Sequence, residues 1–219
     1  MYYLFWTGGF DSTFRLIQLL DQGHSVHAIY IATCIDNIPT GTAKRHSQSQ
    51  ELATMHRIRE RIRQMGHEFE LEVIWDEIEY VDWLRIAMES LYGFGLVRRP
   101  VCQYGAMAQI SLMREIDIEV GVECEPSSSK MWNAIHAYME DDRICWRALW
   151  GIRGMYIFRN LRFPLINLSK RQMMEIAAGK GWVDLLKMTW SCWYPKEDGK
   201  PCRQCNMCHE RVLKDDDDF

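Results

Sequence analysis

Two groups of residues in this chain have the types and spacing to do chemistry. The first is Thr7-Gly8-Gly9-Phe10-Asp11-Ser12-Thr13, between an apolar run and a helical pattern. Glycine tolerates positive φ, so consecutive backbone N–H groups can face one hollow. A helix beginning there adds unpaired N–H groups and the positive end of its dipole. With the hydroxyls of Thr7, Ser12 and Thr13, this makes a cradle for phosphate oxygens. The alternative is an ordinary strand-to-helix turn with Ser12 or Asp11 as N-cap. No Gly-x-x-x-x-Gly-Lys-Ser/Thr or Gly-x-Gly-x-x-Gly pattern is present here, so neither the γ-phosphate loop nor the dinucleotide turn applies. A charge on Asp11 would repel phosphate; the residue fits if it positions the turn or helps hold a Mg²⁺ that arrives with a nucleotide.

The second group is "TWSCWYPKEDGKPCRQCNMCHERV" (189–212), which reads Cys-x9-Cys-x2-Cys-x2-Cys. Four thiols so spaced suit tetrahedral zinc, with Cys192, Cys202, Cys205 and Cys208 as ligands. Four protein ligands leave no open position, so the metal is expected to be structural. An iron–sulfur cluster also takes four thiolates, and a redox dithiol is the remaining alternative. His209 directly follows Cys208 and is read as a bystander. Cys34, Cys102, Cys124 and Cys145 are scattered and fit small buried apolar residues.

The elements that must position these groups can be read from periodicity. "YYLFW" (2–6) is an apolar run expected to be a strand buried on both faces. "STFRLIQLLDQG" carries Phe14, Ile17 and Leu20 at helical spacing and stops near Gly23. Further strands are expected at 25–32, 69–75 and 117–123. Helices are expected in "KRHSQSQELATMHRIRERIRQMG", "YVDWLRIAMESLYG" and "QYGAMAQISLMREI". Residues 124–154 carry no readable period. Ser169-Lys170-Arg171-Gln172 is a capping box opening a helix to about Gly179. Strands alternating with helices imply an α/β fold with a mostly parallel sheet, whose ligands bind beyond the carboxyl ends of the strands.

The chain has 219 residues, 47% of them hydrophobic, enough for one large domain with an appendage. Its 26 basic and 30 acidic residues leave a net charge of −4, so direct nucleic-acid binding is not expected. The opening residues lack a basic leader and no stretch reaches membrane-span length, so a cytoplasmic protein without a signal peptide is expected. Thiols stay reduced in that compartment, which favours a metal over disulfides. Three segments follow: an ATP-binding α/β domain (1–188), a zinc-binding segment (189–213) and an acidic tail (214–219).

The two ends together resemble a known family. "TGGFDST" is similar to the Ser-Gly-Gly-x-Asp-Ser loop of the N-type ATP pyrophosphatases, the PP-loop superfamily, with Thr7 in place of the usual Ser. "TWSCW" followed by Cys-x2-Cys-x2-Cys resembles the C-terminal signature of one branch, the 7-cyano-7-deazaguanine (preQ0) synthases. "PLINLSKRQMMEIAAGKGWVDLLKMTWSCW" is similar to that branch's Pro-Leu strand, Lys-led helix and entry to the metal loop. "KRHSQSQEL" is similar to its Arg-His segment. The branch's Pro-Gly-Arg-Asn substrate segment is not visible; "RRPVCQYGAM" (98–107) stands there instead.

The resemblance implies an adenine nucleotide alpha-hydrolase-like, Rossmann-like fold with a C-terminal four-cysteine zinc knuckle. It implies an ATP-dependent ligase of queuosine biosynthesis, using Mg²⁺ and Zn²⁺. The carboxylate of 7-carboxy-7-deazaguanine attacks the α-phosphate, pyrophosphate leaves, ammonia takes the adenylate, and a second activation dehydrates the amide to a nitrile. Asp11 and Ser12 are then the catalytic candidates, and Thr7, Gly8, Gly9, Asp11, Ser12 and Thr13 bind ATP. Arg45, His46 and Lys170 are candidates for phosphate or substrate, and Arg98 and Arg99 for the substrate carboxylate; each is otherwise a surface residue. A homodimer is left open. The rivals are an enzyme that stops at the amide or passes the activated group to another acceptor, a tRNA-thiolating PP-loop enzyme, and a non-catalytic binding module.

Overall fold

The first strand lies at the middle of the sheet, and the rest of the chain winds outwards from it on both sides. The computed structural model describes residues 1–32, 47–75, 81–93, 103–124 and 130–209. The elements are β1 (Tyr2–Phe5), α1 (Phe10–Asp21), β2 (Val26–Ile31), α2 (Gln48–Gln64), β3 (Glu70–Ile74), α3 (Asp82–Gly93), α4 (Gln103–Met113) and β4 (Ile118–Val120). They continue with α5 (Lys130–Ile135), the hairpin β5 (Met139–Glu140) and β6 (Arg143–Ile144), and α6 (Trp146–Gly151). Last come β7 (Leu161–Arg162), α7 (Lys170–Lys180), α8 (Val183–Lys187) and α9 (Asn206–His209).

The main sheet has the order β3-β2-β1-β4-β7, and every pair in it is parallel. The expected α/β class with a mostly parallel sheet is therefore what the chain adopts. Along β1, Leu4 and Trp6 enter one core with Phe14, Ile17, Tyr30 and Met55. Phe5 enters the other with Ile29, Met88, Ile118 and Phe163. Side chains alternate along a strand, so two cores mean a sheet covered on both faces.

β2 lies on one side of β1 and β4 on the other, so the winding reverses between β1 and β4. In open parallel sheets this switch leaves a crevice at the carboxyl ends of the two strands. The residues leaving β1 and β4 there are Thr7–Ser12 and Gly121–Cys124.

Several expectations needed correction. The strand expected at 117–123 ends at Val120, because the chain must leave the sheet where Gly121 meets the first turn of α1. The Pro-Leu strand implied by the resemblance is a turn: the fifth parallel strand is only Leu161–Arg162. Ile166 N–H then donates to Phe163 O and Leu168 N–H to Leu165 O. The Ser169 capping box forms as expected, and its helix runs to Lys180 before Gly181 turns left-handed. The helix expected from Lys44 is described from Gln48 onward.

Candidate functional site

The turn leaving β1 is built as an anion cradle requires. Gly8 has φ +70, a conformation that L side chains rarely adopt. A Cβ there would also stand 2.9 Å from Met55 Cγ. Gly9 is the N-cap of α1, extended at φ −77 and ψ 166, and no side chain caps the helix. Ser12 and Asp11 are therefore not N-caps, which removes the ordinary-turn alternative. The first hydrogen bond of the helix is Thr13 N–H to Gly9 O at 3.0 Å. The N–H groups of Phe10, Asp11 and Ser12 precede it, so α1 offers the uncapped amides that bind anions.

The hydroxyls divide by role. Ser12 Oγ accepts from Thr7 N–H at 3.5 Å and donates to Gly9 O at 3.4 Å, long bonds spanning the turn. Thr7 is half-buried, its Oγ1 close to where a Cβ on Gly9 would sit. Thr13 is different: it is fully buried and its Oγ1 accepts from the Trp6 indole N–H at 2.9 Å. The expectation that Thr13 contacts ATP is corrected, since its amide and hydroxyl are both engaged inside the protein.

Beside the turn lies a cluster that the motifs did not announce. Lys170 Nζ, at the first residue of α7, stands 3.2 Å from Glu123 Oε1, just past β4. Both side chains are largely withdrawn from solvent, at 9% and 12% exposure. Asp11 faces this pair, and its Oδ1 is enclosed without a hydrogen-bond partner. Burial and the neighbouring Glu123 charge push the Asp11 carboxyl up to about 8, against an opposing pull from Lys170. Of the two roles expected for Asp11, this inward geometry fits positioning of the turn. Lys170 joins the predicted turn residues at one site. Glu123 was missed; its only sequence signal is a carboxylate just past the strand that flanks the switch point.

The approach is fixed by backbone contacts. A Cβ on Gly121 would lie 3.0 Å from Ser12 N, so only a glycine lets the β4 exit pass this close to α1. Cys124 N–H donates to Leu168 O at 2.9 Å, tying the same exit to the chain entering α7. One helical turn beyond Asp11, Arg15 grips Glu119 of β4 through two bonds of 2.7 and 2.9 Å.

The four predicted metal-ligating cysteines converge. The sulfurs of Cys192, Cys202, Cys205 and Cys208 all lie within 4.8 Å of one another. Cys205 to Cys208 is 3.5 Å and Cys202 to Cys208 is 3.9 Å. Zinc–thiolate bonds of about 2.3 Å at tetrahedral angles put sulfurs roughly 3.8 Å apart, so this donor set fits a soft divalent metal. The N–H groups of Gln204 and Cys205 donate to Cys202 Sγ and that of Cys202 to Cys192 Sγ. Those donors hold the Cys202 thiol down to about 6. Such N–H···S bonds stabilise thiolates and orient them as ligands.

The cysteine loop closes on the turn: Trp190 N–H donates to Gly8 O at 3.0 Å. Arg45, His46, Arg98, Arg99, Cys34 and Cys102 lie outside the described residues, as does the His209 side chain. Among the described residues, no helix is long and apolar enough to cross a membrane.

These features define a class: a parallel α/β protein with an uncapped glycine turn at its switch point and a four-cysteine loop docked on that turn. Residues 155–213 match the family described as queuosine biosynthesis protein QueC. The chain is 25% identical over 229 aligned residues to the 7-cyano-7-deazaguanine synthase of Citrifermentans bemidjiense, covering 95% of this chain and 90% of that one. It is 44% identical over 55 residues to the enzyme of that name from Syntrophus aciditrophicus, covering 23% of this chain and 21% of the other. The resemblance read from the two ends of the sequence is thus to the proteins that the comparisons find. A solved structure, described as a predicted subunit of tRNA methyltransferase from Methanocaldococcus jannaschii, covers 81% of this chain and 73% of its own. Its identity is 13% and its TM-score 0.41, too slight a likeness to bear on the argument.

Proposed function

We propose that the protein is an ATP-dependent ligase that activates the carboxylate of 7-carboxy-7-deazaguanine as an adenylate and converts it with ammonia to 7-cyano-7-deazaguanine. The observation that carries this reading is the uncapped start of α1 at Gly9, with the cysteine loop docked on the preceding residue. The names of the similar proteins supply the substrate.

In this mechanism the turn amides and Ser12 receive the β- and γ-phosphates and stabilise charge building on the departing pyrophosphate. Preorganised donors of this kind often supply the largest share of a rate enhancement. Lys170, held at the mouth of the crevice, adds a positive charge near the reacting phosphate. Mg²⁺ enters with the nucleotide and offsets its charge. The crevice between β1 and β4 brings the carboxylate into line with the α-phosphate, a contribution of orientation. Zinc at Cys192, Cys202, Cys205 and Cys208 holds the loop against the turn and takes no part in the chemistry. Incubation with ATP, Mg²⁺, ammonia and the deazaguanine acid tests this: AMP, pyrophosphate and the nitrile are the expected products, and no AMP would refute it.

A second reading stops at the amide. It is favoured by the sequence at 98–107, which lacks the substrate segment of the related enzymes and whose part from Gln103 onward is the helix α4. Mass spectrometry of the same incubation decides between amide and nitrile.

A further inference from the structure

A carboxylate inside an anion-binding turn repels the ligand it serves, and the Asp11–Glu123–Lys170 cluster contains the means to avoid this. One lysine faces two carboxyl groups, so one of the two is left without a counter-charge. Lys170 touches Glu123 at 3.2 Å, both side chains largely buried, whereas Asp11 Oδ1 is enclosed and has no hydrogen-bond partner. An unpartnered ionised oxygen out of water is costly, and a carboxyl in that position retains its proton instead. The arrangement is fixed by the backbone, since Gly121 abuts Ser12 N and Cys124 is bonded to Leu168. Glu123 therefore cannot swing away to leave Lys170 to Asp11.

We propose that Glu123, by occupying Lys170, keeps the proton on Asp11, so that the turn meets a polyphosphate with a neutral O–H donor in place of a repelling charge. Glu123 is then a positioning residue for the nucleotide step, acting through its two neighbours. The inference rests on the phosphate-binding reading of the turn. The groups facing Asp11 among the described residues are Glu123 beyond β4, Lys170 of α7 and the N–H groups of its own helix turn. The raised Asp11 pKa, about 8 against an ordinary 3.8, supports the same proton location. For an acid raised in this way, the folded protein holds a proton that the unfolded chain releases. Its contribution to stability is thus full below the ordinary value and is lost as pH rises towards about 8.

The test titrates pyrophosphate into the metal-loaded wild type, Glu123→Gln and Asp11→Asn from about pH 6 to about pH 9, with unfolding free energies measured alongside. The ligand's own ionisation is common to all three proteins. Wild-type affinity should weaken as Asp11 ionises near pH 8. In Glu123→Gln, Lys170 passes to Asp11 and the weakening should begin about one pH unit or more lower. Asp11→Asn donates at every pH and should lose this weakening altogether. A Glu123→Gln profile superimposed on that of the wild type overturns the proposal, as does an Asp11→Asn profile that keeps the alkaline fall. If Glu123→Gln does not fold, Asp11→Asn alone decides. If the wild type binds no pyrophosphate at any pH, the phosphate-binding reading fails, and the ligand-free stability profiles still locate the proton. Loss of stability between about pH 4 and pH 8 that Asp11→Asn abolishes supports the proposal, and identical profiles overturn it.

Discussion

The backbone N–H of Trp190 donates to the carbonyl of Gly8 at 3.0 Å, and a Cβ on Gly9 would stand 3.7 Å from Trp190 O. The two chemically distinctive ends of the chain therefore meet as main chain against main chain. Cys192, buried at 2% exposure, lies two residues beyond this contact, and the Trp190 indole donates to its carbonyl at 2.7 Å. The cysteine cluster thus fixes the strap that closes the glycine turn, which gives a structural metal a route to the nucleotide site without chemistry of its own.

The two glycines of the turn should respond differently to alanine. Gly8→Ala meets both a left-handed backbone, φ +70, and Met55 Cγ at 2.9 Å. The backbone conformation alone costs about 1–2 kcal/mol, so a lowered unfolding free energy in denaturant is expected. Gly9 has an ordinary φ of −77, and its nearest neighbour would be Thr7 Oγ1 at 3.2 Å. Gly9→Ala should therefore fold with near wild-type stability. Its methyl group occupies the hollow, and ATP affinity by calorimetry should fall on the order of tenfold, the worth of one hydrogen bond.

Thr13 separates a structural from a ligand-binding hydroxyl. Thr13→Val keeps the shape and removes the acceptor of the buried Trp6 indole, leaving a donor unsatisfied at a cost of about 1–3 kcal/mol. The expected result is a lower melting temperature with unchanged ATP affinity. A selective loss of ATP affinity at full stability would return Thr13 to the binding site.

Much of this site was legible in the sequence because it lies in local patterns. The apolar run before Thr7, the helical spacing of Phe14, Ile17 and Leu20, and the Ser169–Gln172 capping box each specify geometry over a few residues. The cysteine spacing did the same, and all four sulfurs converge. Residues 124–154 were not legible because their elements are too short to show a period. α5 and α6 have six residues each and the hairpin strands two. They are held by distant partners, such as Arg143 on Asp117 and the Trp132 indole on Ile166 O. Glu123 was missed for a related reason. Its partners belong to α1 and α7, and only the sheet order brings them together.

Arg15 and Glu119 form a second clamp between α1 and β4. Glu119 is 3% exposed and is held by two guanidinium nitrogens. Arg15→Ala leaves that carboxylate buried without a counter-charge, a change that typically costs about 3–5 kcal/mol. Arg15→Met combined with Glu119→Leu removes both charges and should recover most of the loss. A double-mutant cycle in urea checks this. If the single and double variants are equally destabilised, the buried charge is not the cause.

The metal prediction follows from the contact at Gly8. Cys205 supplies one sulfur, and its N–H donates to Cys202 Sγ. In Cys205→Ser the hydroxyl is a poor replacement for a thiolate, so zinc should fall from one per chain towards none by elemental analysis. Metal–ligand free energy is folding free energy for such loops. The variant should therefore melt at lower temperature and be cut by protease between residues 189 and 209. Hydrogen exchange gives a finer readout. The amides of Phe10–Thr13 should exchange faster once the strap no longer holds Gly8, even at temperatures where β1 and β2 remain protected. A metal-free variant whose turn amides exchange as slowly as those of the wild type would show that Trp190 holds Gly8 without help from the cysteines.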